Sequence, residues 1–340
     1  MLKKISTFMI ICTVLLAGCK SNETPETAKK EDSNNSHTSE QIVYPLTGLE
    51  AEDGENHRAI AVMVNNHPEA RPQSGLSKAD IVYEILAESN ITRFLAIYQS
   101  EFPETFGPVR SARDYYIRLA KGYDSLYVFH GWSPEAKKLI ESNYVDHLNG
   151  LKYDGTLFER ASFRKAPHNS YITYDHVMEG AEEKGYDMDT SAPSYTFMSK
   201  EEANEIQGDD YSKISVSYNS SSFDVTYEYN EDSEMYSRYT SGMRTEDYDT
   251  NEPVELANVF IIEAEHEVVD DKGRRDIDLE SGGNAYLLQK GKLLKIQWET
   301  ENNRIVPVAD GKEIKLVPGK TWVNVIPTSG LEESVTLSNN

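Results

Sequence analysis

The residues best suited to chemistry lie in the stretch Gly107–Arg118, which reads G-P-V-R-S-A-R-D-Y-Y-I-R. Gly107-Pro108 predicts a turn or helix entry, because proline fixes φ and the residue before it avoids the α region. Ser111 suits an N-cap with Asp114 three positions on, and Ala112 to Lys121 reads as a helix with Tyr116, Leu119 and Ala120 on one face. A helix start leaves unpaired N–H groups and a positive dipole end, which attract anions. Arg110 and Arg113 flank that end, and two guanidinium forks there suit a phosphate or carboxylate. Arg118 falls nearly two turns further on. The competing expectation is that both arginines pair with acidic neighbours, since Asp and Glu number 57 against 34 Lys and Arg.

A wider set of polar residues can join this stretch. Arg71, Arg93, Arg110 and Arg113 are expected to gather at the ends of neighbouring strands, where open α/β sheets bind ligands. Glu84 and Glu88 are their acidic partners, on one strand face by period-two spacing. His130 ends a strand before a helix start, and His168 sits in the loop Arg164-Lys165-Ala-Pro-His168-Asn169. Each histidine suits a phosphate contact or a general base, and equally an ordinary hydrogen-bonded loop or core residue. The candidate anion ligands are therefore Arg71, Arg93, Arg110, Ser111, Arg113, His130 and His168, with no catalytic residue assigned.

No metal site and no cofactor are expected. The histidines are scattered and H-E-x-x-H is absent. Ser162-Phe-Arg-Lys165 fits S-x-x-K but lacks the S-D-N and K-T-G companions. Gly319-Lys320-Thr321 echoes a P-loop ending, but a strand is expected after it where a P-loop has a helix.

The elements that must position these groups read as α+β: an N-terminal mixed α/β sheet domain over residues 42–190, then a mostly-β domain over 191–335. Ala59–Val64 is a short buried strand, Ala79–Glu88 and Arg93–Gln99 a hairpin about Ser89-Asn90, and Ser125–Phe129 a further strand. Ser133-Pro134 opens a helix to about Asn143, and Tyr174–Lys184 is another helix, closed by Gly185. In the second part, alternating segments such as Ile214–Tyr218 and Phe223–Tyr229 suggest a small barrel or sandwich. Its aromatic residues, among them Tyr227, Tyr236, Tyr248, Trp298 and Trp322, either stack on sugars or fill its core.

The N-terminus carries an address. Lys3 and Lys4 precede the apolar run Ile5–Leu16, and Leu16-Ala17-Gly18-Cys19 matches a lipobox, so residues 1–18 read as a lipoprotein signal peptide. Cys19 is the expected lipidation site, anchoring the chain to the membrane without spanning it. Residues 19–41, rich in Ser, Asn, Thr, Glu and Lys, form a disordered tether. The other cysteine, Cys12, lies in the removed segment, so no disulfide is expected. Loss of residues 1–18 removes two lysines and no acid, making a net charge of −23 still more negative. Nucleic acid is therefore not an expected partner.

Several segments together carry a family resemblance: N-N-H-P-E-A-R-P-Q-S-G-L (65–76), A-D-I-V-Y-E (79–84), I-T-R-F (91–94), G-P-V-R-S-A-R (107–113), H-G-W-S-P (130–134) and R-K-A-P-H-N-S-Y (164–171). On these the chain resembles the YerB-like family of Gram-positive lipoproteins. The resemblance implies a lipid-anchored protein on the outer face of the cell membrane and no established enzymatic activity. A looser likeness, confined to Gly107–Arg113, is to the LytR-CpsA-Psr phosphotransferases, whose arginines hold a pyrophosphate. The leading expectation is a binding or scaffold protein at the membrane–wall boundary with an Arg-lined anion site and an unknown protein or wall-polymer partner. The alternative is a phosphotransferase or hydrolase acting on a phosphate-bearing or glycan wall precursor. A transport receptor would need two similar lobes, and the two parts are dissimilar.

Overall fold

The computed structural model describes residues 42–51, 57–328 and 330–339. The signal peptide, Cys19 and the tether lie outside the described residues. What is described forms one compact unit, mixed α+β with a mostly-strand second part, 42% strand and 16% helix, so strand pairing sets the architecture.

A twelve-stranded sheet runs through both parts of the chain. Its centre is the antiparallel pair Ile81–Glu88 and Ile91–Tyr98, with Ile60–Asn65 beyond. On one side Leu126–Phe129 and His147–Asn149 continue parallel to Ile60–Asn65. On the other, Thr321–Pro327 runs parallel to Ile81–Glu88 and is followed by Asn258–Ala264, Gly283–Gln289 and Lys292–Glu301. The strands of the second part thus divide. Some complete this sheet, and Lys213–Val216, Val225–Asn230 and Met235–Thr240 belong to a separate six-stranded sheet.

Both faces of the central strands are buried, so they read as continuous apolar runs. Ala61, Met63, Tyr83, Ile85 and Leu95 face a cluster with Tyr116, Leu119 and Ala120 of the helix Asp114–Gly122. Val62, Val82, Phe94, Val128 and Trp322 face a second cluster with Val177 and Ala181 of the helix Tyr174–Lys184, and with Ile214, Tyr227 and Tyr236 of the small sheet. Of the aromatic residues of the second part, Tyr227, Tyr236, Trp298 and Trp322 fill these cores.

Local signals placed most elements. Ser133 Oγ accepts from Ala136 N and Thr173 Oγ1 from His176 N, capping their helices, and Gly185 ends the second at φ 68°. The helix after Gly107 starts later than expected. Arg113, not Ser111, is its N-cap, because Ala112 is held extended between Gly131 and Ser133. Ser111 Oγ instead donates to the His130 carbonyl at 3.1 Å.

One buried ion pair joins the sheets. Glu84 lies on the face that meets the small sheet and is 0% exposed. Its Oε2 accepts from Arg238 Nη2 at 2.8 Å and from Trp322 Nε1 at 3.1 Å, and its Oε1 from Asn66 and Thr92. Arg238 Nη1 donates to Thr240 and Thr245. Burial works against the Arg238 charge, but Glu84 outweighs it and raises the pKa.

Arg238→Ala leaves Glu84 charged and unpaired in the core, so the variant should lose about 3–5 kcal/mol in urea unfolding. Glu84→Gln with Arg238→Met should recover much of that. A single-variant loss under about 1 kcal/mol contradicts this reading. His266 gives a second test, since burial lowers its pKa to about 4 against the hydrogen bond to the Ala264 carbonyl. The folded state then resists a proton that the unfolded chain accepts near pH 6.5. Wild type should lose about 2 kcal/mol relative to His266→Gln between pH 6.5 and 5. Parallel pH profiles would refute the burial argument.

Candidate functional site

Three parallel strands end side by side. Ile60–Asn65 ends in Asn65, Leu126–Phe129 is followed by His130, and His147–Asn149 ends in Asn149. The segment Gly107–Ser111 crosses these ends. Asn65 N donates to the Pro108 carbonyl, Arg110 N to Met63 O, and His130 N to Arg110 O. On its other side Val109 N donates to Ser170 O at 2.7 Å, which brings in the loop carrying His168. This is the carboxyl edge where α/β sheets place ligands.

Arg110 is the unusual member. Its guanidinium has no ion pair or hydrogen bond among the described residues, and its Nε is buried without a partner. Burial first, and the nearby Arg93 charge second, lower its pKa to about 10. It remains a cation at neutral pH, and its charge reaches both His130 and His168.

The hydrogen bonds assign each histidine tautomer. Arg160 Nη2 donates to His130 Nε2 at 3.0 Å, so the ring proton sits on Nδ1 and faces Ser170 Oγ at 2.8 Å. Arg160 is itself held by Asp154 in a two-pronged pair. The His130 ring packs so closely on Gly150 that a Cβ there would lie 2.2 Å from Nδ1. Asn65 Oδ1 accepts from His67 N, which turns its Nδ2 to donate to His168 Nδ1 at 2.7 Å. His168 therefore carries its proton on Nε2. His67 Nδ1 accepts from Glu69 N, so its proton is also on Nε2, and the two rings stack at 4.5 Å. Burial first, then neighbouring cations, lower the pKa of His130 and of His168. Both are neutral at pH 7.

His67, Glu69 and His168 offer ligand atoms within 4.8 Å of one another, a proximity that the scattered sequence positions hid. As bonded, both rings present N–H groups there, not lone pairs. His168 Nε2 already faces the exposed Glu69 carboxylate at 3.4 Å, so the rings offer donors and no lone pair, and an incoming anion competes with Glu69 for them.

The other expected ligands do not converge here. Arg93 holds both oxygens of Glu88 at 2.9 and 2.7 Å, and Arg113 Nη2 pairs with the same carboxylate. Arg93 Nη1 and Arg113 Nη1 donate to the Ser111 and Ala112 carbonyls, and Arg113 Nε is buried without a partner among the described residues. A bulge between Leu86 and Glu88 shifts the register. Glu88 thereby joins Arg93 on the helix side of the sheet, while Glu84 faces the small sheet and pairs with Arg238. Glu84 and Glu88 do not share a face. Arg71 lies elsewhere too, bonded to the carbonyl oxygens of Asn66. The structure brings together Arg110, Ser111, His130 and His168, and adds Asn65, His67, Asn149, Arg160 and Ser170. An asparagine closing an apolar strand run was the available signal for Asn65.

The comparisons with known proteins agree with the family expectation. Residues 46–187 match the model described as "Protein of unknown function (DUF3048) N-terminal domain", and residues 214–323 match its C-terminal domain. The chain is 48% identical over 334 residues to "Putative lipoprotein YerB" of Bacillus subtilis (strain 168), covering 96% of each. It is also similar to the crystal structure of the YerB protein from Bacillus subtilis, with a TM-score of 0.81, 48% identity, and 88% of this chain and 100% of that one covered. The likeness to the LytR-CpsA-Psr phosphotransferases finds no support in these matches. Of the two arginines in the segment that carried it, one is committed to Glu88. With both of its domain models matched and a 48% identical relative along nearly its whole length, the chain belongs to the DUF3048 family.

Proposed function

We propose that this chain is a lipid-anchored binding protein on the outer face of the cell membrane, holding a phosphate-bearing group of a wall polymer or its precursor at Arg110. The lipobox at Cys19 and the lipoprotein name of its 48% identical relative support the address. The observation that carries the ligand class is the largely buried, unpaired Arg110 guanidinium in a chain of net charge −23. A cation left uncompensated where carboxylates abound suits an incoming anion, and the His168 Nε2–H, which faces the exposed Glu69 carboxylate at 3.4 Å, lies within its electrostatic reach.

The same bonds favour binding over turnover. His130 has its Nε2 lone pair occupied by Arg160 and its proton on the side of Ser170, so it is not poised to take a proton from that hydroxyl.

Titration calorimetry of the exported domain with pyrophosphate tests this. Arg110→Gln should weaken binding by about tenfold or more and leave the melting temperature unchanged or raised. Arg113→Gln should lower stability by about 1–3 kcal/mol and leave the affinity near wild type. Equal affinity in wild type and Arg110→Gln, or no saturable binding, refutes the site. The pH dependence is a further test. Because the His168 pKa is depressed, the ring gains its proton only below the usual range near 6.5. Anion affinity should therefore rise as pH falls from 6.5 toward 5, and His168→Gln should remove most of the rise. A profile unaffected by His168→Gln would contradict its role.

A further inference from the structure

A cavity of about 490 Å³, not lined by Arg110, lies between the loop after the strand Ile60–Asn65 and the hairpin about Met243. Arg71 and Arg238 both line it. Arg238 spends its charge on Glu84, and its Nε is buried without a partner. Arg71 has no ion pair among the described residues. Its Nε and Nη2 go to oxygens of Asn66, its Cζ lies 5.3 Å from the Phe223 ring centre, and its Nη1 has no partner. Arg244 and Glu246 line the cavity too, and Arg244 pairs with Glu255, which leaves Arg71 as the lining cation without an ion pair among the described residues. The pKa of Arg71 is lowered to about 10, by burial first and by Arg238 second, with Glu84 only partly offsetting them.

Beside the polar lining residues, among them Asn66, Gln73, Thr240 and Thr245, the cleft has an apolar side. Pro68 and Pro72 form one wall, and Met243, 64% exposed, stands on the other. A large exposed apolar side chain beside an uncompensated guanidinium describes a ligand with two ends. A single guanidinium without an ion pair calls for one anionic group. The planar fork of Arg71 matches a carboxylate, and the methionine side chain adapts to an unbranched chain.

We propose that this cleft binds an amphiphilic monocarboxylate, fatty-acid-like, with its carboxylate on Arg71 and its chain along Met243 and the two prolines. The site is separate from Arg110 and does not rest on the phosphate reading.

The Trp322 ring lies 4.4 Å from Arg238 Cζ and supplies a reporter. The exported domain is titrated with decanoate, decanol and acetate while tryptophan fluorescence is followed. Decanoate should saturate at least about tenfold more tightly than decanol or acetate, since each lacks one of the two ends. Arg71→Gln should lose about tenfold or more. Arg71 also braces Asn66, so Met243→Ser, at an exposed position that the fold does not need, is the second variant. It should weaken decanoate about threefold with an unchanged melting curve. Arg110→Gln should bind decanoate as wild type does. Equal binding of decanol and decanoate, wild-type affinity in both Arg71→Gln and Met243→Ser, or no saturation overturns the proposal. A free-carboxylate peptide ending in leucine that binds more tightly than decanoate also overturns it, in favour of a peptide partner.

Discussion

The structure depends on one constraint: Glu84, in the middle of the widest sheet, must be neutralised where water cannot reach it. The acid sits on a central strand and is fully buried, a position that strongly disfavours an isolated charge. The compensating cation, Arg238, comes from a different sheet and from 154 residues further along the chain. The pair therefore works as a register pin. The pair ties the small sheet to the large one, with Trp322 Nε1, Thr92 and Asn66 completing the set of donors to Glu84. Replacing such a pair with apolar residues is often neutral in energy, so its value here is orientation more than stability.

That constraint shapes both candidate sites. Asn66 leans on Glu84 and carries Arg71, while its neighbour Asn65 sets the His168 tautomer. The same strand end thus feeds the Arg110 cluster and the amphiphilic cleft. Glu88, one bulge further along the strand that carries Glu84, removes Arg93 and Arg113 from the surface charge balance. Arg110, in the same short segment as Arg113, has no carboxylate partner among the described residues. Three arginines that look equivalent in sequence hold different electrostatic positions because one extra residue turns one glutamate to the other face of the sheet.

Much of this was legible beforehand and some was not. The helix start at Ser133-Pro134, the helix Tyr174–Lys184 and the hairpin about Ser89-Asn90 follow from local residue chemistry, and they appear nearly where expected. Arg110, His130 and His168 were identifiable because each follows a turn or strand end. The sharing of Glu88 was not legible, since period-two counting places it beside Glu84 and a bulge leaves no clear mark in the sequence. Nor was Arg238, because nothing local ties an arginine in an alternating strand to an acid 154 residues away. For the same reason the second part was expected to close on itself, whereas Asn258–Ala264 and Thr321–Pro327 complete the sheet begun in the first part.

The claim that matters most is that Arg110 is a cation kept free for an anion. A crystal structure of the exported domain grown with pyrophosphate tests it most directly. The account predicts a phosphate oxygen within about 3 Å of the Arg110 guanidinium, with His168 Nε2 turned toward it and Arg93 and Arg113 still on Glu88. Pyrophosphate bound only at surface lysines, or Arg110 folded back onto a carboxylate of its own, would contradict it.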